Sequence, residues 1–139
     1  MSKRDILKFE GCAEAWKRAL GEAGLGIYDL SFVETHDCFT VAELIEYEAM
    51  GLAKPGQGAR AIAEGITQKT GKLPVNPSGG LKAKGHPIGA TGVSMHAMTT
   101  MQLRGEANEM QVKDATLGGI FNMGGAAVAN YVSILERLR

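Results

Sequence analysis

Apolar residues recur three and four positions apart in three stretches of the chain, which is the pattern of helices that bury one face. Glycines follow the first two stretches and favour the ends of helices there. A fourth, shorter stretch carries Arg60 and Glu64 one helical turn apart. The predicted helices span residues 6–23, 41–50 and 92–103, with a short one inside residues 56–65.

Three shorter apolar runs predict strands. The first, residues 30–35, is too short for a helix and ends where His36 begins a polar segment. The other two, residues 116–123 and 127–135, are joined by the pair Gly124–Gly125. Because so short a link cannot make a parallel crossover, these two strands are predicted to be antiparallel. Helices that alternate with strands indicate the α/β class.

The composition of the helices predicts which of their faces are buried. Trp16 lies on the apolar stripe of the first helix and is expected to anchor the core. The helix over residues 92–103 is rich in small and flexible apolar residues, which predicts a buried helix, and His96 within it is expected to be structural. The second helix carries three glutamates that are expected to form a solvated face: Glu43, Glu46 and Glu48.

A glycine-rich loop over residues 76–92 interrupts the periodic pattern and presents one histidine, His86. Glycine allows positive φ and lets a ligand approach the backbone closely. Pro87 biases His86 away from helical geometry, so we expect the imidazole to stand on a stiff turn that is open to a ligand. A connecting loop with a merely solvated histidine is the alternative.

His36 and Cys38 follow the first predicted strand. The carboxyl end of a strand is where open α/β sheets place their ligands. Both residue types suit proton transfer, because imidazole titrates near neutrality and a thiol approaches it when its pKa is perturbed. A free cysteine is otherwise a small buried hydrophobe, and this second interpretation of Cys38 stays open.

Composition and charge exclude several classes of function. The 139 residues suffice for one domain and carry 15 basic and 15 acidic side chains, so no electrostatic case for nucleic acid arises. No apolar run approaches the roughly 20 residues that cross a bilayer, and the first residues lack the apolar core of a signal peptide, so no membrane partner is expected. Two cysteines are too few for a disulfide framework. We therefore expect a cytoplasmic protein.

Three groups of motifs occur in an order that resembles a known family. They are His36-Asp37-Cys38-Phe39, then Asn76-Pro77-Ser78-Gly79-Gly80 leading into Gly85-His86-Pro87, and finally Asn122-Met123-Gly124-Gly125-Ala126. Together they resemble the C-terminal half of the thiolase superfamily, in the branch that includes sterol-carrier-protein-2-type thiolases and acetyl-CoA acetyltransferases. The resemblance implies one thiolase C-terminal-like domain over residues 1–139, with a mixed sheet covered by helices.

The resemblance also implies that this chain is half of a catalytic unit. In the family a strand precedes the helix predicted at residues 6–23, so the sheet is expected to lack its first strand. The family's nucleophilic cysteine belongs to an N-terminal half that this sequence does not contain. We therefore expect the chain to need an N-terminal thiolase half or a partner subunit, and to form a homo- or hetero-oligomer.

The chemistry that the resemblance implies is acyl transfer on CoA thioesters, with no bound cofactor. In thiolases a cysteine takes the acyl group, and the enolate of a second thioester attacks it. By resemblance, His86 activates that cysteine and donates to the enolate oxygen, while His36 replaces an asparagine that holds a water in the same oxyanion hole. Gly124 is expected to donate its N–H to the acyl oxyanion. Gly85 and Asn122 are the other residues expected to bind substrate.

One departure from the family pattern leaves the reaction open. Most thiolases carry a second catalytic cysteine in a Cys-x-Gly motif, where this chain has Asn122-Met123-Gly124. In the branch with His-Asp-Cys-Phe, the cysteine of that motif is thought to replace it, which indicates Cys38. Three hypotheses follow: half of an acyl-CoA thiolase, a non-thiolytic subunit such as an aldolase or a binding partner, or a stable fragment without activity.

Overall fold

A mixed three-stranded sheet organises the chain in this computed structural model, which describes residues 5–138. The strands are β1 Phe32–Glu34, β2 Leu117–Gly124 and β3 Ala129–Glu136. The α-helices are α1 Glu10–Ala23, α2 Thr40–Ala49, α3 Gly58–Ala63, α4 Gly80–Lys84 and α5 Thr91–Arg104, and short 3₁₀ turns cover Ile27–Asp29 and Asn108–Met110. β1 pairs in parallel with β2, and β2 pairs with β3, so β2 is central. The predicted α/β class and mixed sheet are confirmed.

The antiparallel pairing predicted for the last two strands is confirmed. β2 and β3 pair over their full length, with Gly124 opposite Ala129 beside the connecting turn. On the other edge of β1, a single parallel bridge joins Val33 to Val75. Three segments therefore run in the same direction, and their carboxyl ends meet at one edge of the sheet.

Two glycines in β2 allow helices to approach both faces of the sheet. A Cβ at Gly118 would lie 2.6 Å from the side chain of Thr99 in α5, and a Cβ at Gly119 would lie 2.8 Å from the ring of Trp16 in α1. Successive residues of a strand point to opposite faces, so α1 and α5 cover opposite sides of β2. Trp16 is only 2% exposed, which confirms it as a core anchor.

Each face of the sheet has its own apolar core. The larger one lies on the α1 side and includes Trp16, Val33 and Phe121. The smaller one lies on the α5 side and includes Phe32 and Leu103. Neighbouring residues of β1 thus serve different cores, and each fully buried large side chain contributes roughly 1.5–3 kcal/mol.

The first helix begins later than its apolar pattern predicts. α1 starts at Glu10, because Phe9 has a φ of 41° that does not continue a helix. Phe9 buries its ring, whereas Ile6, which the pattern assigns to the core, is 66% exposed. Within residues 5–138 no strand precedes α1. The expected loss of a first strand also concerns residues 1–4, which lie outside the described part.

The expectation of a solvated glutamate face on α2 is wrong. Glu46 is completely buried, and the Thr35 hydroxyl donates to its carboxyl group at 2.5 Å. Glu43 and Glu48 are half-buried and accept hydrogen bonds, Glu43 from the Tyr47 hydroxyl and Glu48 from the backbone of the α3 start. The reason is that α2 lies between α1 and α3, so little of its circumference reaches solvent.

The prediction of a buried helix over residues 92–103 holds for only one face of α5. Met95 and Leu103 are buried, but Val93 is 71% exposed. His96 bonds the Gly92 carbonyl at 2.7 Å and the Ser133 hydroxyl at 3.1 Å, as a structural histidine does. Among the residues that the structure describes, no helix is long and apolar enough to cross a membrane.

Candidate active site

Three chain segments meet beyond the carboxyl ends of the parallel strands. They are residues 36–38 after β1, the histidine loop (residues 76–86) after the Val75 bridge, and the end of β2 at Asn122. Together with the start of α5, these segments line a cleft of about 980 Å³. The position is the one expected for ligands of an α/β sheet.

The cleft contains two histidine rings in edge-to-face contact. The ring centroids of His36 and His86 lie 4.8 Å apart, and the ring planes make an angle of 86°. His36 is 5% exposed, whereas His86 is exposed on its loop. The sequence places these residues 50 positions apart, and the sheet edge brings them together.

Asn122 fixes the orientation of His36. The distance from His36 Nδ1 to Asn122 Oδ1 is 2.6 Å. An amide oxygen only accepts, so Nδ1 carries the proton and Nε2 keeps a lone pair. Burial lowers the pKa of His36, and the neighbouring His86 lowers it further. The hydrogen bond to Asn122 raises this pKa but has a smaller effect than burial. His36 is therefore a neutral imidazole near neutral pH.

Thr91, the first residue of α5, orients His86. Its hydroxyl lies 2.7 Å from His86 Nδ1 and donates to the Pro87 carbonyl at 3.2 Å. A hydroxyl that donates to Pro87 accepts from Nδ1–H, which leaves the lone pair of His86 on Nε2. Sequence reasoning missed Thr91, although a hydroxyl residue at the first turn of the helix after the loop is a visible signal.

A buried ion pair ties the histidine loop to β1. Lys84 Nζ lies 2.9 Å from Glu34 Oε2, and the Ser78 hydroxyl lies 2.6 Å from each of these two atoms. Glu34 is completely buried at the end of its strand. Sequence reasoning missed this cluster, and its signal was a single acid within an apolar strand.

Asp37 makes a second tie between the same two segments. Its carboxylate accepts a hydrogen bond from the Leu81 N–H at 2.7 Å, and Lys82 donates to its backbone carbonyl at 2.8 Å. Gly80 has a φ of 65°, and a Cβ there would collide with the Asp37 carboxylate. Asp37 therefore positions the loop and is buried away from the cleft.

Cys38 lines the cleft and also packs against the larger core. It is half-buried, and burial raises the pKa of its thiol. The group is therefore a protonated thiol near neutral pH. Its placement is compatible with proton transfer and with packing, so its role stays a prediction.

The structure places the predicted glycines differently. Gly124 lines the cleft at the end of β2. Gly85 ends α4 with a φ of 89° and is not among the residues that line the cleft, so its geometry serves the turn before His86. Within the described residues, no group of three or more His, Cys, Asp or Glu is placed to hold a metal ion.

The rim of the cleft is apolar and open. Ile88 is 100% exposed, Val93 71% and Phe39 70%, and all three line the cleft. Large apolar side chains exposed together mark a surface for interaction. The site is consequently an open cleft that combines two histidines with exposed apolar side chains.

The chain is similar to a known family. The chain matches the family model described as thiolase C-terminal domain-like over residues 1–137. It is 42% identical over 135 residues to the acetyl-CoA acetyltransferase of Methanothermobacter thermautotrophicus, which covers 97% of this chain and 35% of that protein. It is 45% identical over 130 residues to sterol carrier protein 2 of Homo sapiens, which covers 91% of this chain and 24% of that protein.

Two further similarities extend the comparison. The chain is 38% identical over 110 residues to the benzoylsuccinyl-CoA thiolase subunit BbsB of Thauera aromatica, with 79% of this chain and 29% of that protein covered. The solved structure named Ltp2-ChsH2(DUF35) aldolase has a TM-score of 0.77 at 23% identity, over 91% of this chain and 31% of that one, and shows the shared fold.

The chain spans only 24% to 35% of the length of these curated relatives. The match to the family model nevertheless covers almost all of its residues, and the His36 and His86 motifs lie together in one cleft. This chain therefore belongs to the thiolase family, as a protein with the family's C-terminal domain-like fold.

Proposed function

We propose that the chain supplies the histidine-bearing half of an acyl-CoA thiolase of the acetyl-CoA acetyltransferase type. The reaction is acyl transfer, with formation or cleavage of a carbon–carbon bond on CoA thioesters. The observation that carries the proposal is the pair of imidazoles in the cleft, because each has its Nδ1 bonded to a neighbouring side chain and its Nε2 left for substrate chemistry.

In this proposal His86 is the base. Its Nε2 accepts the proton of a cysteine nucleophile that an N-terminal half supplies, and the resulting Nε2–H then donates to the developing oxyanion of the thioester. Thr91 holds the ring in the tautomer that this step requires. Because His86 is exposed on its loop, the nucleophile can reach it from outside this chain.

His36 has a different part in the same proposal. Its neutral Nε2 has no proton to donate, so it cannot itself stabilise an oxyanion. It can accept a hydrogen bond from a water whose other proton faces the enolate oxygen. Asn122 orients the ring while burial keeps it neutral, and Gly124 offers a backbone N–H at the end of the same strand.

Cys38 completes the proposed proton transfers. In the cleavage direction a protonated thiol gives its proton to the enolate carbon, which yields a thiolate and a new C–H bond. In the synthetic direction Cys38 must first lose its proton, which burial disfavours. The raised pKa keeps the resting thiol protonated, which is the form that the cleavage direction requires.

The test is complementation. The chain is assayed for thiolysis of acetoacetyl-CoA alone and after co-expression with an N-terminal thiolase half that carries the nucleophile. We expect no activity from the chain alone, activity from the complex, and a loss of about 10²–10³ in turnover for His86→Ala, on the scale of a lost oxyanion-hole donor. Lys54→Ala is the control, because it changes an exposed side chain outside the cleft, and it keeps turnover. Full activity of a folded His86→Ala complex would contradict the proposal.

An aldolase-type or binding subunit is the second candidate. The observation that favours it is Asn122, whose amide bonds His36 at the position where most thiolases carry a catalytic cysteine. The solved structural neighbour is named as an aldolase, and one relative as a subunit. The same complex separates the two candidates: an aldolase cleaves a β-hydroxyacyl-CoA without free CoA, whereas a thiolase requires free CoA and a β-ketoacyl-CoA. If a folded complex cleaves neither substrate, the hypothesis of a stable fragment without activity is the one that remains.

A further inference from the structure

A second cleft, of about 500 Å³, opens at the opposite end of the sheet. Ser31 and Pro74 line it and directly precede β1 and the Val75 bridge, at the amino ends of the parallel segments. We call it the amino-end cleft; its polar lining comprises Ser31, Lys69, Thr70, Lys72, Gln111 and Lys113. The candidate active site lies beyond the carboxyl ends, so the two sites are separate.

The amino-end cleft concentrates positive charge in a chain that is neutral as a whole. Lys69 and Lys72 come from one loop, and Lys113 joins them from a segment about 40 positions away, while no Asp or Glu lines the cleft. The ion pairs found within residues 5–138 involve other cations. Three like charges around one cleft repel one another, and a bound anion relieves this repulsion.

Two of these ammonium groups are already held in place. Lys72 Nζ lies 3.7 Å from the centroid of the Tyr28 ring, and Lys69 Nζ donates to the backbone carbonyl of Glu109. An ammonium group has three N–H donors, so both lysines keep donors for a ligand. Side chains that are ordered in advance lose less conformational entropy when they bind.

The Ser31 hydroxyl adds a neutral donor to the same cleft. Its oxygen accepts the backbone N–H groups of Thr116 at 3.0 Å and Leu117 at 3.3 Å. These bonds occupy the lone pairs of the oxygen and leave the O–H free to donate. Asp29 is not among the residues that line the cleft, and its carboxylate accepts the Gly26 N–H at 2.7 Å.

We propose that the amino-end cleft binds the phosphate groups of a phosphorylated small molecule. Lys69, Lys72 and Lys113 neutralise its charge, and the Ser31 hydroxyl donates a further hydrogen bond. Linked phosphates fit this set best, since they combine several negative charges with many acceptor oxygens, whereas a single carboxylate leaves two lysines unneutralised. The site is independent of acyl transfer and stands whether or not the chain is a thiolase half.

The test is an NMR titration of the ¹⁵N-labelled 139-residue chain with inorganic pyrophosphate and, separately, with ADP. We expect saturable shifts of the backbone amides of residues 69–72 and 113. Lys72→Ala is expected to weaken binding about tenfold, as loss of one charge-assisted hydrogen bond does. Equal affinity for the two probes identifies the phosphates alone as the ligand, and tighter ADP binding identifies a nucleotide.

Lys54→Ala is the matched control, because it removes one exposed lysine outside the cleft. It is expected to keep the affinity of the unchanged chain, and Lys72→Arg is expected to keep most of it. Equal weakening by Lys54→Ala and Lys72→Ala would mean that net charge alone attracts the probe and would overturn the proposal. Absence of saturable shifts at residues 69–72 in a folded chain would overturn it as well.

Discussion

Glu34 and Lys84 form an ion pair with 2.9 Å between Oε2 and Nζ, and each lies two residues before a histidine of the cleft. β1 carries Glu34, and α4 carries Lys84. The pair therefore fixes the separation of these two segments close to His36 and His86. The Glu34 side chain is 0% exposed and that of Lys84 19%, so water screens the pair only weakly.

Lys84→Met should destabilise the chain and loosen the cleft. The substitution leaves the Glu34 carboxylate buried with the Ser78 hydroxyl but without its counter-ion, which should cost about 3 kcal/mol of unfolding free energy. Urea denaturation measures this loss, and nuclear Overhauser contacts between the His36 and His86 rings should weaken with it.

The controls for Lys84→Met separate a buried pair from a surface pair. Arg60→Met breaks the exposed pair with Glu64 and should cost about 0.5 kcal/mol or less. The double variant Glu34→Gln, Lys84→Met leaves no unpaired charge and should recover part of the loss. If Lys84→Met costs no more than Arg60→Met, the pair does not hold the loop.

Glu46 should make the chain less stable as the pH rises. Burial raises the pKa of its carboxyl group well above the usual 4.5. Below that value the group is protonated in both the folded and unfolded chain, and its contribution to stability is fully present. As the pH rises toward the folded-state pKa, only the unfolded chain ionises, so this contribution is lost.

Glu46→Gln should remove this pH dependence, because a glutamine does not titrate. The measurement is the free energy of unfolding in urea at several pH values from acid to neutral. The exposed Glu64→Gln is the control and should keep the dependence of the unchanged chain. Parallel stability curves for the unchanged chain and Glu46→Gln would refute the prediction.

Thr91→Val should change the tautomer of His86 without unfolding the chain. Valine fills the same buried volume but offers no oxygen to the imidazole, so Nδ1 loses its partner at 2.7 Å. The ¹⁵N chemical shifts of the imidazole report which nitrogen carries the proton. Thr91→Ser should restore the native tautomer, since it keeps the hydroxyl. An unchanged tautomer in a folded Thr91→Val chain would show that Thr91 does not orient the ring.

Cys38 offers opposite forecasts for its two interpretations. If Cys38 is a proton donor, Cys38→Ser should lower the turnover of the complemented enzyme and leave the free energy of unfolding nearly unchanged. If Cys38 is a packing residue, Cys38→Ala should lower the free energy of unfolding by about 1 kcal/mol, as expected for a half-buried side chain, and keep turnover. Measuring both quantities for both variants decides between them, and Cys12→Ser controls for a buried thiol elsewhere.

The meeting of His36 and His86 follows from rules that are visible in the sequence. A short strand ends at His36 and a glycine-rich loop carries His86, and parallel segments place such ends at one edge. The glutamates of α2 did not follow from such rules. Periodicity treats every carboxylate as polar and cannot anticipate that Thr35 would accompany Glu46 into the interior.

Other differences have equally local causes. The apolar pattern counted Ile6 as helical because it ignores backbone conformation, and the positive φ of Phe9 appears only in three dimensions. The apolar content of α5 predicted a buried helix. One of its faces is open in this chain, and the exposed Val93 shows that composition alone does not reveal whether a helix has neighbours on both sides.

The bond between His36 and Asn122 joins residues that are 86 positions apart. Closing so long a loop costs conformational entropy, and the cleft is complete only when β2 has paired with β1. During synthesis, β1 and the histidine loop emerge long before Asn122 does. Until then His36 lacks its partner and is open to water. The titration of His36 is therefore a reporter of completed folding, which distinguishes a collapsed chain from one whose sheet has closed.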